Sequence, residues 1–247
     1  MVKQLEVWRA VLAESEKNAH RLCPTAVVKK VNHAMFQFPA SSSGSLEPLD
    51  GAGFFFKPNR AVTCNHALPS RFRQGDTVLV QVPSLERTME LKVLERDTRL
   101  DFAILEPVDE LAPDFLEILT GYQPFLEGND LVLFTFVDDS QLPRVPGGWN
   151  KSPAVMKAVG LRVSSTKHHL LFDSNTWTTN DCGAALLLFD GRVAALSVDS
   201  VAHAKDLIRQ KLDMDESLTD LEKSIQRLIG RVPGGQIGLL ASVFADR

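Results

Sequence analysis

Short apolar runs, each closed by turn-forming residues, recur along this chain and restrict its fold more than any other feature. A first series reads "TAVVKKV", "AMFQF", "GFFF", "RAVTC", "TVLVQV", "ELKVLE" and "FAILE". A polar break at about 107–121 follows. A second series reads "DLVLFTF", "AVMKAVGLRVS", "HLLFD", "AALLLF" and "RVAALSV", and "GQIGLLASVF" reads as a closing strand. The runs are short and rich in β-branched and aromatic residues, so they read as strands. Two sets of roughly six such strands predict paired β-barrels. The stretches "PASSSGSLEPLDG" and "PRVPGG" read as loops.

Two segments break the rhythm. Residues 2–22 place Val2, Leu5, Trp8, Val11 and Leu12 at helical spacing, and Pro24 stops them. Within 202–230, Leu207, Ile208, Leu212, Leu218, Leu221, Ile225 and Leu228 recur with helical period. Ser217 or Thr219 can cap a second helix there, and Gly230 can end it. The expected organisation is therefore an amphipathic helix over 1–24, a first barrel over 25–118, and a second barrel over 119–247 with a helical insertion at 202–230. The fold class is mostly β, with two six-stranded antiparallel barrels. The helices at 2–22 and 202–230 are also the candidate surfaces for self-association or partner binding.

Composition excludes several function classes. The 247 residues carry a net charge of −4, and Lys and Arg do not gather in one segment, which argues against nucleic-acid binding. No apolar run approaches a membrane span, so no membrane partner is expected. The first 22 residues carry charge throughout and lack the apolar core of a signal peptide. Three cysteines, Cys23, Cys64 and Cys182, are too few and too scattered for a disulfide framework. These readings point to a reducing, cytoplasmic or otherwise intracellular setting.

Three residues carry the candidate chemistry. Cys182 follows the polar turn "TTND" and precedes Gly183. A lone cysteine is usually a packing residue. A nucleophile needs a base within reach and backbone donors for an oxyanion, and a tight turn beside a glycine can supply the donors. His66 stands just after "RAVTC", where a strand would end. Asp101 precedes the apolar run "FAIL"; set against His66, it could fix one imidazole tautomer and stabilise the imidazolium. His168 and His169 are adjacent, so on a strand they face opposite ways and make a poor metal pair. His203 reads as a solvated helix residue and Cys23 as packing; Cys64, two residues from His66, could be oxidation-sensitive, but strand core is the preferred reading. No cofactor and no metal are expected.

The motifs "GAGF" at 51–54, "TCNHAL" at 63–68, "DFAIL" at 101–105 and "NDCGAAL" at 180–186 resemble, in joint order and spacing, the chymotrypsin-fold (trypsin-like) peptidases. The nearest groups are the HtrA/Deg-like enzymes and the viral 3C-type cysteine peptidases. The resemblance covers about 25–200. It implies a His66–Asp101–Cys182 triad acting on a protein or peptide substrate through a thioester acyl-enzyme. It also implies an oxyanion hole made by the backbone N–H groups of Asn180 and Cys182. The chain departs from the family where glycine is usual and Asn180 stands, and where Ala184 and Ala185 replace glycine-proline. The positions that read glutamine in 3C-type enzymes align with Trp177 and Ser197, and the trypsin pocket floor aligns near Thr176; neither specificity is reproduced. Asp199 flanks the expected pocket and could favour a basic side chain, but a solvated loop residue is the preferred reading. A protease-fold scaffold that binds without cutting is the alternative, motivated by Asn180, the lost glycine-proline and the extra helices.

Overall fold

The computed structural model describes residues 21–39, 51–120, 126–138, 151–174, 182–230 and 232–247. Its twelve strands close into two six-stranded antiparallel barrels. The first is built from β1 (Met35–Gln37), β2 (Ala52–Lys57), β3 (Arg60–Cys64), β4 (Thr77–Val82), β5 (Arg87–Asp97) and β6 (Phe102–Pro107). Around it the strands run β1-β2-β3-β6-β5-β4, and a single pairing of Gln37 with Gln81 closes the ring. The second comprises β7 (Asp130–Asp138), β8 (Lys151–Val163), β9 (His169–Ser174), β10 (Ala185–Leu187), β11 (Val193–Ser200) and β12 (Gln236–Leu240). Its order, β7-β8-β9-β12-β11-β10, repeats that of the first barrel. Closure removes the exposed edges that would otherwise template aggregation. This is the chymotrypsin-like fold.

Alternation along β4 and β5 is the sequence rhythm made physical. Val78, Val80 and Val82 are buried while Thr77 and Leu79 are exposed, and Met89, Leu91 and Val93 of β5 turn to the same interior. In β2, Phe54, Phe55 and Phe56 are all buried because both faces are covered. One face fills the first barrel, where Phe36 meets Phe55 at a centroid distance of 5.3 Å. The other meets Phe244, just beyond β12, whose ring lies 6.3 Å from Phe54, 5.6 Å from Phe56 and 6.3 Å from Phe102. The end of the chain thus returns from the second barrel to pack on the first.

One expected strand is a helix. "TAVVKKV" falls in α1 (Thr25–Ala34), which starts directly after Pro24. Its valines favoured a strand by propensity. Val27, Val28, Val31 and Ala34, however, all face the core, a helical spacing in which packing outweighs the modest cost of β-branching. The first strand is consequently only β1, from the run "AMFQF". The expected helix over 2–22 lies outside the described residues, apart from helical Arg21 and Leu22.

The insertion before the last strand holds two helices, α2 (Val201–Asp213) and α3 (Asp220–Ile229). Thr219 caps α3 with a complete capping box to Glu222, and Gly230 ends it. Ser200, not singled out from the sequence, caps α2 by accepting the His203 N–H. Leu207, Leu212 and Met214 remain exposed.

Phe244 is fully buried between the barrels, so Phe244→Ala should cost roughly 3–5 kcal/mol. Urea unfolding checks this: the midpoint should fall with little change in slope.

Candidate active site

The register of β3 on β6 brings the first two candidates together. Thr63 pairs with Ala103 and Cys64 with Phe102, so the residues just outside the ladder, Asn65 and Asp101, face one another. Asn65 donates its N–H to the Asp101 carbonyl at 3.2 Å. The chain then turns through a short 3-10 segment, Asn65–Ala67, that carries His66. Asp101 grips this turn with both carboxylate oxygens. Oδ1 accepts the His66 backbone N–H at 3.0 Å, and Oδ2 pairs with Nδ1 of the His66 ring at 2.6 Å. Asp101 adopts φ 59°, a left-handed conformation that Asp tolerates better than most side chains. That strain is stored where the carboxylate must reach back over the turn.

A residue missed by the sequence reading holds the same turn from behind. Arg96 of β5 sends Nε to Oδ1 of Asn65 at 2.7 Å, and Nη2 to the carbonyls of Asn65 at 2.9 Å and Leu68 at 2.7 Å. Its Nη1 donates to the carbonyls of Pro69, at 3.1 Å, and Phe72. The rigid guanidinium fork thereby satisfies several carbonyls of a loop that has no strand partner.

Cys182 comes from the second barrel, in the turn before β10. Its carbonyl accepts the Ala52 N–H at 2.9 Å, which ties the turn to β2 of the first barrel. Gly183 follows at φ 86°, donating its N–H to the Ser197 carbonyl at 2.8 Å. A Cβ at Gly183 would stand 1.8 Å from the Ala52 carbonyl oxygen, so no other residue fits between the two barrels here.

This turn places the Cys182 thiol near the side chains of His66 and Cys64. The Val198 carbonyl also lies 3.6 Å from its Sγ. The thiol is pulled down from 9.0 to about 6, first by the hydrogen bond from Cys64, then, against burial, by the hydrogen bond and charge of His66; Asp199 opposes the shift. His66 is raised from 6.5 to about 10 by its bond to Asp101 and then its bond to Cys182, against burial. Both shifts run in the direction that favours a thiolate beside an imidazolium.

The other candidates divide. Thr176, Trp177 and Asn180 lie outside the described residues, so the expected oxyanion hole is described only at Cys182. Ser197 is buried in β11, its carbonyl accepting from Gly183 and its N–H donating to Ala184. Asp199 is half-buried and pairs with Nδ1 of His203 at 2.8 Å, so His203 is exposed but not merely solvated. His169 is buried with Nδ1 lacking a partner, and burial lowers it to about 4; His168 lies on the opposite, more open face. Cys23 and Cys64 are buried, and all three cysteines are free. The donor atoms of Cys64, His66 and Asp101 lie within 4.8 Å of one another. A cation using Nδ1 there would have to displace the Asp101 hydrogen bond that orients the ring.

Two six-stranded barrels, with the His66–Asp101 pair on one and Cys182 on the other, have the architecture of the chymotrypsin class. A sequence model of the trypsin-like peptidase domain matches residues 51–196, more than half of the chain and all three of His66, Asp101 and Cys182. The chain belongs to the trypsin-like peptidase domain family, and that membership supports a hydrolase that cuts peptide bonds. Among solved structures, the fold is similar to Rv3671c protease from M. tuberculosis in its active form. That match has 17% identity and a TM-score of 0.55, over 89% of this chain and 81% of that one. The inactive form matches at 15% identity and a TM-score of 0.52, over 90% and 89%. No curated protein matches the chain. No described helix is long and apolar enough to cross a membrane.

Two outcomes follow. Alkylation of Cys182 by iodoacetamide should rise with a midpoint near pH 6 rather than near the ordinary ~8.5. Because the His66 cation favours the thiolate, His66→Ala should move that midpoint upward. Arg96→Lys keeps the charge but loses the fork, so it should cost roughly 2–3 kcal/mol in urea unfolding and slow the alkylation.

Proposed function

We propose that the chain is an endopeptidase that cuts proteins or peptides with a cysteine nucleophile, through a thioester acyl-enzyme. The observation that supports this reading is the His66–Asp101 pair, joined at 2.6 Å, with Cys182 near enough that it and His66 shift each other's ionisation in opposite directions. Asp101 engages Nδ1 and leaves Nε2 for the sulfur. Asp101 also stabilises the imidazolium without itself taking the proton.

In this scheme the Cys182 thiolate attacks the scissile carbonyl carbon, and the carbonyl π pair moves to oxygen. The oxyanion is held by backbone N–H groups, of which Cys182 supplies one and Asn180 the other. Collapse of the tetrahedral intermediate breaks the C–N bond, and the leaving amine takes the Nε2 proton of His66. Water then attacks the thioester carbon while neutral His66 accepts its proton. The thiolate departs, the acid product forms, and His66 is again charged. A pre-formed ion pair suits this order, because the nucleophile needs no deprotonation at the moment of attack and the acid for the leaving group is already loaded. Asn180 in place of glycine bears on the rate, since one oxyanion donor is worth on the order of 10²–10³ in turnover. Three free thiols favour a reducing, intracellular place of action.

Turnover of a fluorogenic peptide library tests the reading. Cys182→Ala should abolish cleavage, by at least ~10³-fold, while circular dichroism and the unfolding midpoint stay close to wild type. Full cleavage by Cys182→Ala would sink the cysteine mechanism. No cleavage by the wild type, with Cys182 still reactive to iodoacetamide, would favour a binding scaffold.

A further inference from the structure

Cys64 is a nucleophilic group that the peptidase chemistry leaves unused. It is fully buried at the end of β3, two residues before His66. Its S–H donates to the Ser197 carbonyl at 3.2 Å, the same carbonyl that accepts the N–H of Gly183, the residue next to Cys182. Cys64 lies on the first barrel and Cys182 on the second, so the two thiols meet across the junction between them. Cys182 is partly open to solvent, whereas Cys64 is fully buried.

We propose that Cys64 and Cys182 form an oxidation site that takes a hydroperoxide as oxidant and stores the result as a reversible disulfide joining the two barrels. The Cys182 thiolate attacks one peroxide oxygen and the O–O bond breaks. The departing hydroxide takes the proton of the His66 imidazolium and leaves as water, and Cys182 becomes a sulfenic acid. The Cys64 sulfur then attacks the Cys182 sulfur. The S–S bond forms and the S–O bond breaks. The hydroxide takes the Cys64 proton and leaves as a second water. Two electrons have passed from the thiol pair to the peroxide, which is reduced to water.

The arrangement divides the labour between the sulfurs. Cys182 is partly open to solvent and thiolate-like, so it meets the oxidant first. Cys64 is kept protonated by burial and by donation to Cys182, so it does not react with solvent oxidants on its own. Held at the Ser197 carbonyl beside the Cys182 turn, it intercepts the sulfenic acid before a second peroxide drives Cys182 to the irreversible sulfinic acid. A thiol reductant restores both groups by exchange. That the disulfide switches off cleavage rests on the peptidase reading; its formation does not.

Peptide mapping without reductant tests this. The full chain at neutral pH is treated with a small molar excess of hydrogen peroxide, quenched by alkylation under denaturing conditions and digested. The expected product is a cross-linked peptide pair joining Cys64 to Cys182, abolished by dithiothreitol. Cys64→Ser should give no link, and should instead accumulate dithiothreitol-resistant sulfinic acid at Cys182 several-fold faster than wild type. Wild-type Cys182 passing to sulfinic acid while Cys64 stays alkylatable would overturn the proposal, as would a link from Cys182 to Cys23. Should Cys64→Ser fail to fold, the wild-type map decides alone. A chain that forms the link under peroxide yet cleaves no peptide when fully reduced refutes the peptidase reading and leaves the disulfide standing.

Discussion

The backbone of Gly183 passes so close to Ala52 that only glycine fits, and the Ala52 N–H is donated to the Cys182 carbonyl across the gap. Everything at the site depends on this contact. The base and its carboxylate belong to the first barrel, and the thiol belongs to the second. Neither barrel holds the chemistry alone, and a side-chain hydrogen bond between them survives only if the two backbones are fixed to within a fraction of an ångström. A backbone bond at 2.9 Å beside a residue with no Cβ does that more firmly than side chains could, because it has no rotamers to lose. Phe244, packed on Phe54, Phe56 and Phe102, makes the same junction hydrophobic at a distance from the polar groups.

Within the first barrel, the His66 turn is held from two sides for different reasons. Asp101 holds the ring and sets its charge. Arg96 holds the carbonyls of the loop and sets its shape. A turn at the end of a strand ladder leaves carbonyls unpaired, and a partly buried loop cannot leave them so without cost. Arginine suits the task because its five donors lie in one plane and stay charged at any working pH. The left-handed Asp101 fits the same logic: a strained backbone is tolerable when three hydrogen bonds converge on that residue.

These features differ in how far a single sequence reveals them. The barrels were legible because strand period and turn residues are local, and both read true in β4 and β5. Thr219 and Gly230 were legible for the same reason. The helix α1 was misread because β-branching is a local signal for strand, while the burial that makes "TAVVKKV" helical comes from the barrel it covers. His66, Asp101 and Cys182 were picked out by their order in the chain and by resemblance, since nothing local distinguishes a reactive cysteine from a packed one. Arg96 left no trace at all: an arginine in an alternating strand reads as an exposed charge, and the five carbonyl and amide oxygens it meets lie 24 to 31 residues away. Cys64 was half read, as core, without the neighbour that gives it meaning.

The electrostatics of the site turn on that neighbour. A thiolate beside an imidazolium needs no third thiol to exist, yet Cys64 is the largest influence drawing Cys182 down. Burial works against the thiolate, as it must in any site that excludes water from an acyl intermediate. A donor placed behind the sulfur offsets that penalty without occupying the side a substrate must approach. A hydroxyl could donate as well, but it could not form a bond to an oxidised sulfur. The choice of cysteine at position 64 therefore adds nothing to the stabilisation of the thiolate that a serine would lack. What it adds is a second oxidisable sulfur beside the Cys182 turn, which is the group the proposed disulfide requires.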